Sequence, residues 1–394
     1  MKFITDLHIH SKFSGGTSRN ISILNIAKTC KIKGIDIVGT GDCLHTSWLE
    51  NLKTQLQEEY NGLYIYPNFP EVKFVLQTEV ELIWKVNKTI KKTHFILLFP
   101  YFSVLDETVE KLFKFVNLQT DGRPKICLSA ENFILKLKEI DSQIEIIPAH
   151  TFTPYFGILG SDCNFNSLKE ALGGGFEQVY AIESGLSADP SLIRSLSELN
   201  NFSIISNSDA HSAGFHRIGR EATVLKLDKP NFSNIIDSIR KNNILKTYEF
   251  RPSAGKYYYD GHRTERHSVQ KEYFCSPKRA MLNCPYCKRK LTKGVLSRVY
   301  DLKDQDIMVQ ENCQYIVPLY TLVSIVAGKY KVQKDILNLY LQLVEANQSE
   351  YNIWEGSSVF EGIDQEIINV INKARNGEFY FFPGYDGVYG KLII

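Results

Sequence analysis

From residue 3 to about residue 250, short apolar runs alternate with amphipathic stretches. Runs at 3–9, 35–39, 74–78, 94–99, 144–148, 181–183 and 204–206 read as buried strands. Stretches at 23–33, 106–117, 130–139, 191–200 and 234–242 carry the spacing of amphipathic helices. This strand–helix alternation predicts an α/β domain with mostly parallel strands, read as a barrel. The texture changes after Arg251-Pro252. Residues to about 306 are rich in Tyr, Lys and Arg, with a Cys-Pro-Tyr-Cys turn. Helical patterns follow at 319–329, 333–347 and 364–376, ahead of a Pro383–Gly390 segment. Three domains are expected, at 1–252, 253–306 and 307–394, with no internal repeat.

Composition excludes several classes. The 394 residues are 43% hydrophobic, 12% aromatic and 23% charged, which suits a folded chain rather than a disordered one. No apolar run approaches the roughly 20 residues of a membrane helix, and Asp6, His8 and His10 interrupt the N-terminal stretch that a signal peptide would need. The eight cysteines are scattered, so a disulfide framework is not expected and a cytosolic, nucleoid-associated protein is. Net charge is +2, but residues 253–306 hold twelve Lys or Arg against six Asp or Glu. That local +6 leaves −4 elsewhere, and a basic module on a mildly acidic body suits a polyanionic ligand. Charge alone equally suits an uneven solvated surface.

The strongest chemical signal is Asp6-Leu-His8-Ile-His10, because residues two apart on a strand share a face. A lone His-x-His is more often structural. Here, though, further ligand types recur at strand ends: Asp42, Glu79, Glu81, His150, Asp209 and His211, while His94 opens an apolar run. Groups at the carboxyl ends of barrel strands converge on one mouth. Mixed His, Asp and Glu without thiolate suits Zn²⁺, Mn²⁺ or Fe²⁺. Their number exceeds one tetrahedral shell, so a two-metal site for phosphoester hydrolysis is the economical reading.

His8-x-His10, Thr40-Gly-Asp42, Glu79, His94, His150 and Ser208-Asp-Ala-His211 resemble the PHP (polymerase and histidinol phosphatase) phosphoesterases. The resemblance implies a distorted (βα)7 barrel holding two or three divalent metals (Zn²⁺, Mn²⁺ or Mg²⁺). It would place His8, His10, Glu79 and Asp209 on one ion, with Glu79 bridging to a second held by His94 and His150. Asp42, His45 and His211 could form a third site, although Gly41-Asp42-Cys43 replaces the usual Thr-Asp-His. Asp209, Glu79 and His211 are the expected catalytic residues.

Asp121-Gly-Arg-Pro124, Ile147–Pro154, Ala181–Pro190, Ser206–Ser212, Gly219–Ala222, Asp260-Gly-His-Arg263 and Pro383–Gly390 resemble the endonuclease Q branch across nearly the whole chain. This implies a DNA-repair endonuclease cutting 5′ to deaminated bases (uracil, hypoxanthine, xanthine) and abasic sites, with replication or repair factors as further partners. Cys284-x-x-Cys287 is half of a structural Zn²⁺ site, and His262 and His267 rank first for the other half, ahead of Cys275. Lys288, Arg289 and Lys290 are candidate phosphate contacts. The nearby Tyr257–Tyr259 and Tyr273-Phe274 read either as base-stacking groups or as a small core. Arg123 and Arg220 are candidates for phosphate contact or for ion pairs with Asp121 and Glu221. Two other classes stay open at this point: a small-molecule phosphatase acting on a histidinol-phosphate-like monoester, and a non-catalytic DNA-binding protein.

Overall fold

The computed structural model describes every residue except 267–270, 280, 311, 329–331, 357, 358 and 394. His267, one of the expected zinc ligands, lies outside the described residues. Strands Lys2–Asp6, Ile37–Gly39 and Phe69–Val86 lie side by side in parallel. At Asn87-Lys88, both in the left-handed region, the long strand folds back tightly into Thr89–Phe99. Glu145–Pro148 pairs against that strand, and Ala181–Glu183 pairs in parallel with Ser203–Ile205. Thr151 N donates to Glu183 O at 3.1 Å, and an Ile9–Ala210 bridge joins the far side back to the start. A sheet extension of Ala222–Lys226, Ile244–Glu249 and Cys313–Tyr315 flanks the first strand.

The expectation of mostly parallel strands is therefore corrected to a mixed sheet, in which Thr89–Phe99 and Ala222–Lys226 run against their neighbours. A two-residue turn can join only antiparallel strands, and no helix crosses over between Val86 and Thr89. The 191–200 helix is also corrected. It is a four-residue helix, Pro190–Ile193, followed by a 3₁₀ turn at Ser197–Asn201. The 106–117 helix begins earlier, at Phe102 just after Pro100, and ends at Leu112. Ile23–Lys33 matches its expected span, capped by Ser22 accepting from Asn25 N and by left-handed Gly34.

Period-two alternation fills the barrel. Leu7, Ile37, Val75, Ile96, Leu98, Ile147, Ala181, Ile205 and Leu225 make one buried cluster, closed at the base by Phe232, Ile235 and Ile239 of the Phe232–Arg240 helix. Their neighbours Val38, Phe74, Phe95, Leu97, Ile146, Ile182, Ile204 and Val224 belong to a second cluster on the outside, under the surrounding helices. One face of each strand thus fills the lumen and the other seats a helix.

The appended segments are tied to this body. Asp260–His262 pairs with Tyr273–Cys275, and Tyr380–Phe382 with Lys391–Ile393. Helices Leu319–Ala327, Gln333–Ala346 and Gln365–Arg375 pack beside the barrel. Lys33 of the barrel meets Glu350 at 3.1 Å with both side chains fully buried, while Tyr351 Oη donates to Gly219 O at 2.9 Å.

Below the barrel mouth, two carboxyls share a buried pocket. Glu221 accepts from Phe250 N and Ser206 Oγ at 3.0 Å, and Ser184 Oγ donates to Glu249 Oε2 at 3.2 Å. Burial pushes Glu221 up to about 8, and burial with Glu221 and Asp189 nearby raises Glu249 well above the carboxylate range. The folded chain thus holds a proton at Glu221 that the unfolded chain releases from about 4.5. Stability should fall as pH rises between those values, by at most about 1.4 kcal/mol per unit for one proton. Glu221→Gln should flatten the fall in melting temperature between about pH 6 and pH 8; an unchanged slope would mean that Glu221 is ionised in the fold.

Candidate metal centre

The lumen alternation continues upward into the site. Val75, Gln77 and Glu79 share a face, as do Ile96 and His94, Ala181 and Glu183, and Ile205 and Asn207. His94 stands at the barrel mouth midway along Thr89–Phe99, a strand that runs downward from there. Asp42, His150 and Asp209 reach the mouth differently, through left-handed φ values of 43°, 31° and 46° just past the strands. Such conformations are uncommon without glycine and cluster at functional sites.

The side chains meet in two adjoining groups, His8, His10 and Asp209 in one and Glu79, His94 and His150 in the other. Glu79 Oε1 lies 2.8 Å from His94 Nδ1 and 3.0 Å from His150 Nε2, and 3.7 Å from His8 Nε2. Its Oε2 lies 3.5 Å from His10 Nε2. Asp209 Oδ1 lies 3.0 Å from His10 Nε2. Glu79, a member of the second group, therefore also approaches His8 and His10 of the first. Burial disfavours its charge, but the imidazoles of His94, His150 and His8 hold its carboxyl well below the usual range. Burial likewise opposes charge on His10, yet Asp42, Asp209 and Glu79 raise it to about 9. Protons here occupy positions that a cation would take, so metal binding would release them. Among the described residues, His8 Nε2 and Glu79 Oε2 are buried without a hydrogen-bond partner, which fits this donor set to a divalent ion.

Several supporting residues were not singled out by the sequence as site residues. Glu183 sits behind His8, with Oε1 at 3.0 Å and Oε2 at 3.1 Å from Nδ1, and also accepts from His150 N and Asn207 Nδ2. Asp42 occupies the same place behind His10: Oδ1 is 3.0 Å from Nδ1, and Oδ2 accepts from Ser11 N, Ser11 Oγ and Ser14 Oγ. Such carboxylate–histidine pairs fix the ring and leave Nε2 for a metal. Asp42 thus stands one shell behind the two groups, not among them. Gly122 explains part of the Asp-Gly-Arg-Pro motif, since a Cβ there would come within 2.3 Å of Asp42 Oδ2. Asp6 accepts from Ser208 N and Gly219 N at 2.9 Å, and burial pushes it up to about 6.

Arg123 turns to the metal groups, with Nη1 3.6 Å from Glu79 Oε2, and not to the Asp121 carboxylate, which accepts its backbone N–H. Arg220 is buried and donates through Nε to Ser208 O at 2.8 Å and through Nη2 to Asp209 O at 3.3 Å. It braces the Asp209 turn. His211 is partly exposed beside Asp209, its Nδ1 2.9 Å from Asp209 O. His45 points away, to Gln119 O, and stacks on Phe13. Above the groups opens a cavity of 780 Å³, walled by Arg123, Tyr155, Phe156, Arg217, Tyr257 and Tyr389 among others. Lys288, Arg289 and Lys290 are exposed and lie away from this wall, while Tyr257 faces it and Phe274 packs on Tyr385.

In the middle segment, His262, Cys284 and Cys287 form a third group of ligand types, with Cys287 Sγ 3.2 Å from His262 Nδ1. Although burial opposes it, the amides of Cys287 and Tyr286, the Cys287 thiol and Lys288 draw the Cys284 thiol below its ordinary value. Cys275 packs with Cys284 and Leu291 in a small core and stays outside the group.

Because Glu183 holds His8 at the ring nitrogen opposite the ligand position, Glu183→Gln should weaken divalent-metal affinity by on the order of 10–100-fold. Competition titration with a chelating dye measures this, and an unchanged affinity would show that the carboxylate does not orient His8.

No protein-family model matches the chain. An uncharacterised protein of Methanocaldococcus jannaschii is 28% identical over 277 residues, which cover 66% of this chain but 34% of the relative; the match spans about a third of that protein's length. YqxK of Bacillus subtilis, also uncharacterised, is 24% identical over 99% of both chains. No helix among the described residues is long and apolar enough to cross a membrane. The lesion-specific endonuclease PfuEndoQ of Pyrococcus furiosus superposes with a TM-score of 0.84 at 29% identity, covering 100% of this chain and 96% of its own. An endonuclease Q bound to a 27-mer duplex with an abasic lesion at its active site gives 0.84 and 28%, covering 100% and 97%. The likeness runs through barrel, middle segment and helical region alike, and it supports an endonuclease Q assignment for this chain.

Proposed function

We propose that the protein is a DNA-repair endonuclease that opens the phosphodiester 5′ to deaminated bases and abasic sites. The observation that carries the reading is the pair of ligand groups that meet at Glu79, at the floor of a cavity large enough for a nucleotide. Bound divalent ions would supply positive charge to the phosphate and acidify the attacking water. The chain's own residues do the rest. Glu183 and Asp42 fix the rings of His8 and His10, and Glu79 presents Oε1 to His94 and His150 and Oε2 to His10. Arg123 offers a guanidinium on the cavity wall, where developing phosphate charge would meet it. His211 engages Asp209 O through Nδ1, which leaves Nε2 to hold or pass a proton at the leaving 3′-oxygen. A damaged nucleotide would swing out of the duplex into the cavity, at least cost where the base is mispaired or missing.

A phosphatase acting on a small monoester needs only the barrel. Similarity to a DNA-bound endonuclease over the full chain favours the nuclease reading over that one and over a non-catalytic DNA-binding protein. Incubating the protein with a uracil or abasic duplex and, separately, with histidinol phosphate distinguishes all three. Asp209→Asn should reduce nicking at least a thousandfold while DNA affinity stays within a few-fold, because it removes a ligand and leaves the basic surface. Nicking at a near-normal rate would overturn the two-metal assignment.

His262, Cys284 and Cys287 are proposed as three ligands of one structural zinc, which would fold the basic module directly. Replacing both cysteines by serine should remove one equivalent of zinc in elemental analysis and lower the protease resistance of residues 253–306. A constant metal count would rule out this turn as a zinc site.

A further inference from the structure

Two cations on the cavity wall have no carboxylate partner. Arg217, from the loop after His211, and Lys256, from the segment after the barrel, both line the cavity above the metal groups, and neither forms an ion pair among the described residues. What they share is Tyr389. Lys256 Nζ lies 4.7 Å from the centre of the Tyr389 ring. Burial raises the phenol, but Lys256, Arg220 and Arg217 outweigh it and draw its pKa below the ordinary value.

The geometry is built into the backbone. Gly384 N donates to Ser253 O at 3.0 Å, Gly387 N to Lys256 O at 2.9 Å and Gly390 N to Ala254 O at 3.0 Å. These bonds clamp the Tyr389 loop onto the strip that carries Lys256. A Cβ at Gly390 would come within 2.1 Å of Ser253 O, so the segments could not approach this closely with any other residue there. Arg220, already engaged with two carbonyl oxygens, supplies a third positive charge behind the pair. Two cations that meet at a phenol and have no carboxylate partner among the described residues, in the cavity above the candidate metal ligands, form a subsite for a tetrahedral anion.

We infer that Arg217, Lys256 and Tyr389 bind a non-scissile phosphate of the cleaved strand, next to the one that is cut. This rests on the nuclease reading and adds to it. The metal groups act on one phosphate and this trio grips its neighbour, so that the backbone is held at two points and the nucleotide between them has a fixed entry to the cavity. The basic face at Lys288–Lys290 would contribute general attraction, whereas this subsite would set register.

The test uses the full chain and an abasic duplex in which single phosphates near the lesion are replaced, one position at a time, by neutral methylphosphonate. In the unmodified protein, one position other than the scissile phosphate should raise KM roughly tenfold. Arg217→Gln with Lys256→Gln should raise KM on the normal duplex by a similar or larger factor, and flatten the salt dependence by about 0.9 for each phosphate no longer neutralised. On the duplex carrying that one methylphosphonate, the double variant should lose nothing further. Arg217→Lys and Tyr389→Phe, which keep fold and bulk, should give intermediate values. If every position costs the variant as much as the unmodified protein, the trio grips no particular phosphate and the inference fails. If the unmodified protein does not nick the abasic duplex at all, the nuclease reading fails instead.

Discussion

A carboxylate with 1% exposure has to be matched by positive charge, and Glu79 sets that demand for the whole barrel mouth. His150 answers on one side, where His94, whose pKa burial draws below its ordinary value, adds a ring nitrogen at 2.8 Å; His8, His10 and Arg123 answer on the other. The arrangement then propagates outward. His8 is itself buried and draws in Glu183, while His10 draws in Asp42, which takes three donors from Ser11 and Ser14. Carboxylates and imidazoles thus alternate with distance from Glu79. A network of this kind is rigid because every member's loss would strand a partner.

Much of this was legible because alternation with period two sets both the lumen and the mouth. The apolar runs located the strands, and a ligand type at the end of a run marked Glu79 and Asp209. His94 was the informative misfit. A ligand at the start of an apolar run, not its end, fits a strand that runs the other way, but the reading of mostly parallel strands did not use it. Glu183 was visible in the same manner, as the one charged residue closing Ala181–Glu183. It passed unassigned because a carboxylate behind a histidine has no spacing rule; the pairing spans 175 positions. Asp42 looked like a ligand for the converse reason, since nothing in the sequence tells whether a carboxylate stands beside a metal or behind its histidine.

The elements that escaped were those fixed by tertiary packing. Ala222–Lys226 and Ile244–Glu249 were not read as strands, and the 191–200 helix is broken because Asp189-Pro190 caps only one turn before Arg194 is drawn to Leu199 O and Phe202 O. The basic segment's charge was legible, but not which charges face the cavity. Lys288, Arg289 and Lys290 dominate the sequence, yet Lys256, at the edge of that stretch, and Arg217, inside the barrel, reach the wall.

The ion pair of Lys33 with Glu350 bears on how freely such a barrel can be rearranged. Glu350 also accepts from Leu319 N at 2.9 Å and Tyr340 Oη at 2.8 Å, and Lys33 Nζ donates to Phe215 O at 2.9 Å, in the loop that carries Arg217. Phe215 rests against Tyr340, and Tyr351 reaches Gly219 at the other end of that loop. Removing the Glu350 carboxylate alone would strand the buried lysine charge, at a cost of about 3–5 kcal/mol, and a barrel cut free of its helical region would expose the apolar face that Tyr340 and Tyr351 now cover. The loop over the mouth would lose its footing as well. The helical region is therefore a foundation and not a tether. In modular terms the barrel and its helical region are one unit of stability, and a barrel meant to stand alone would first need position 33 rewritten.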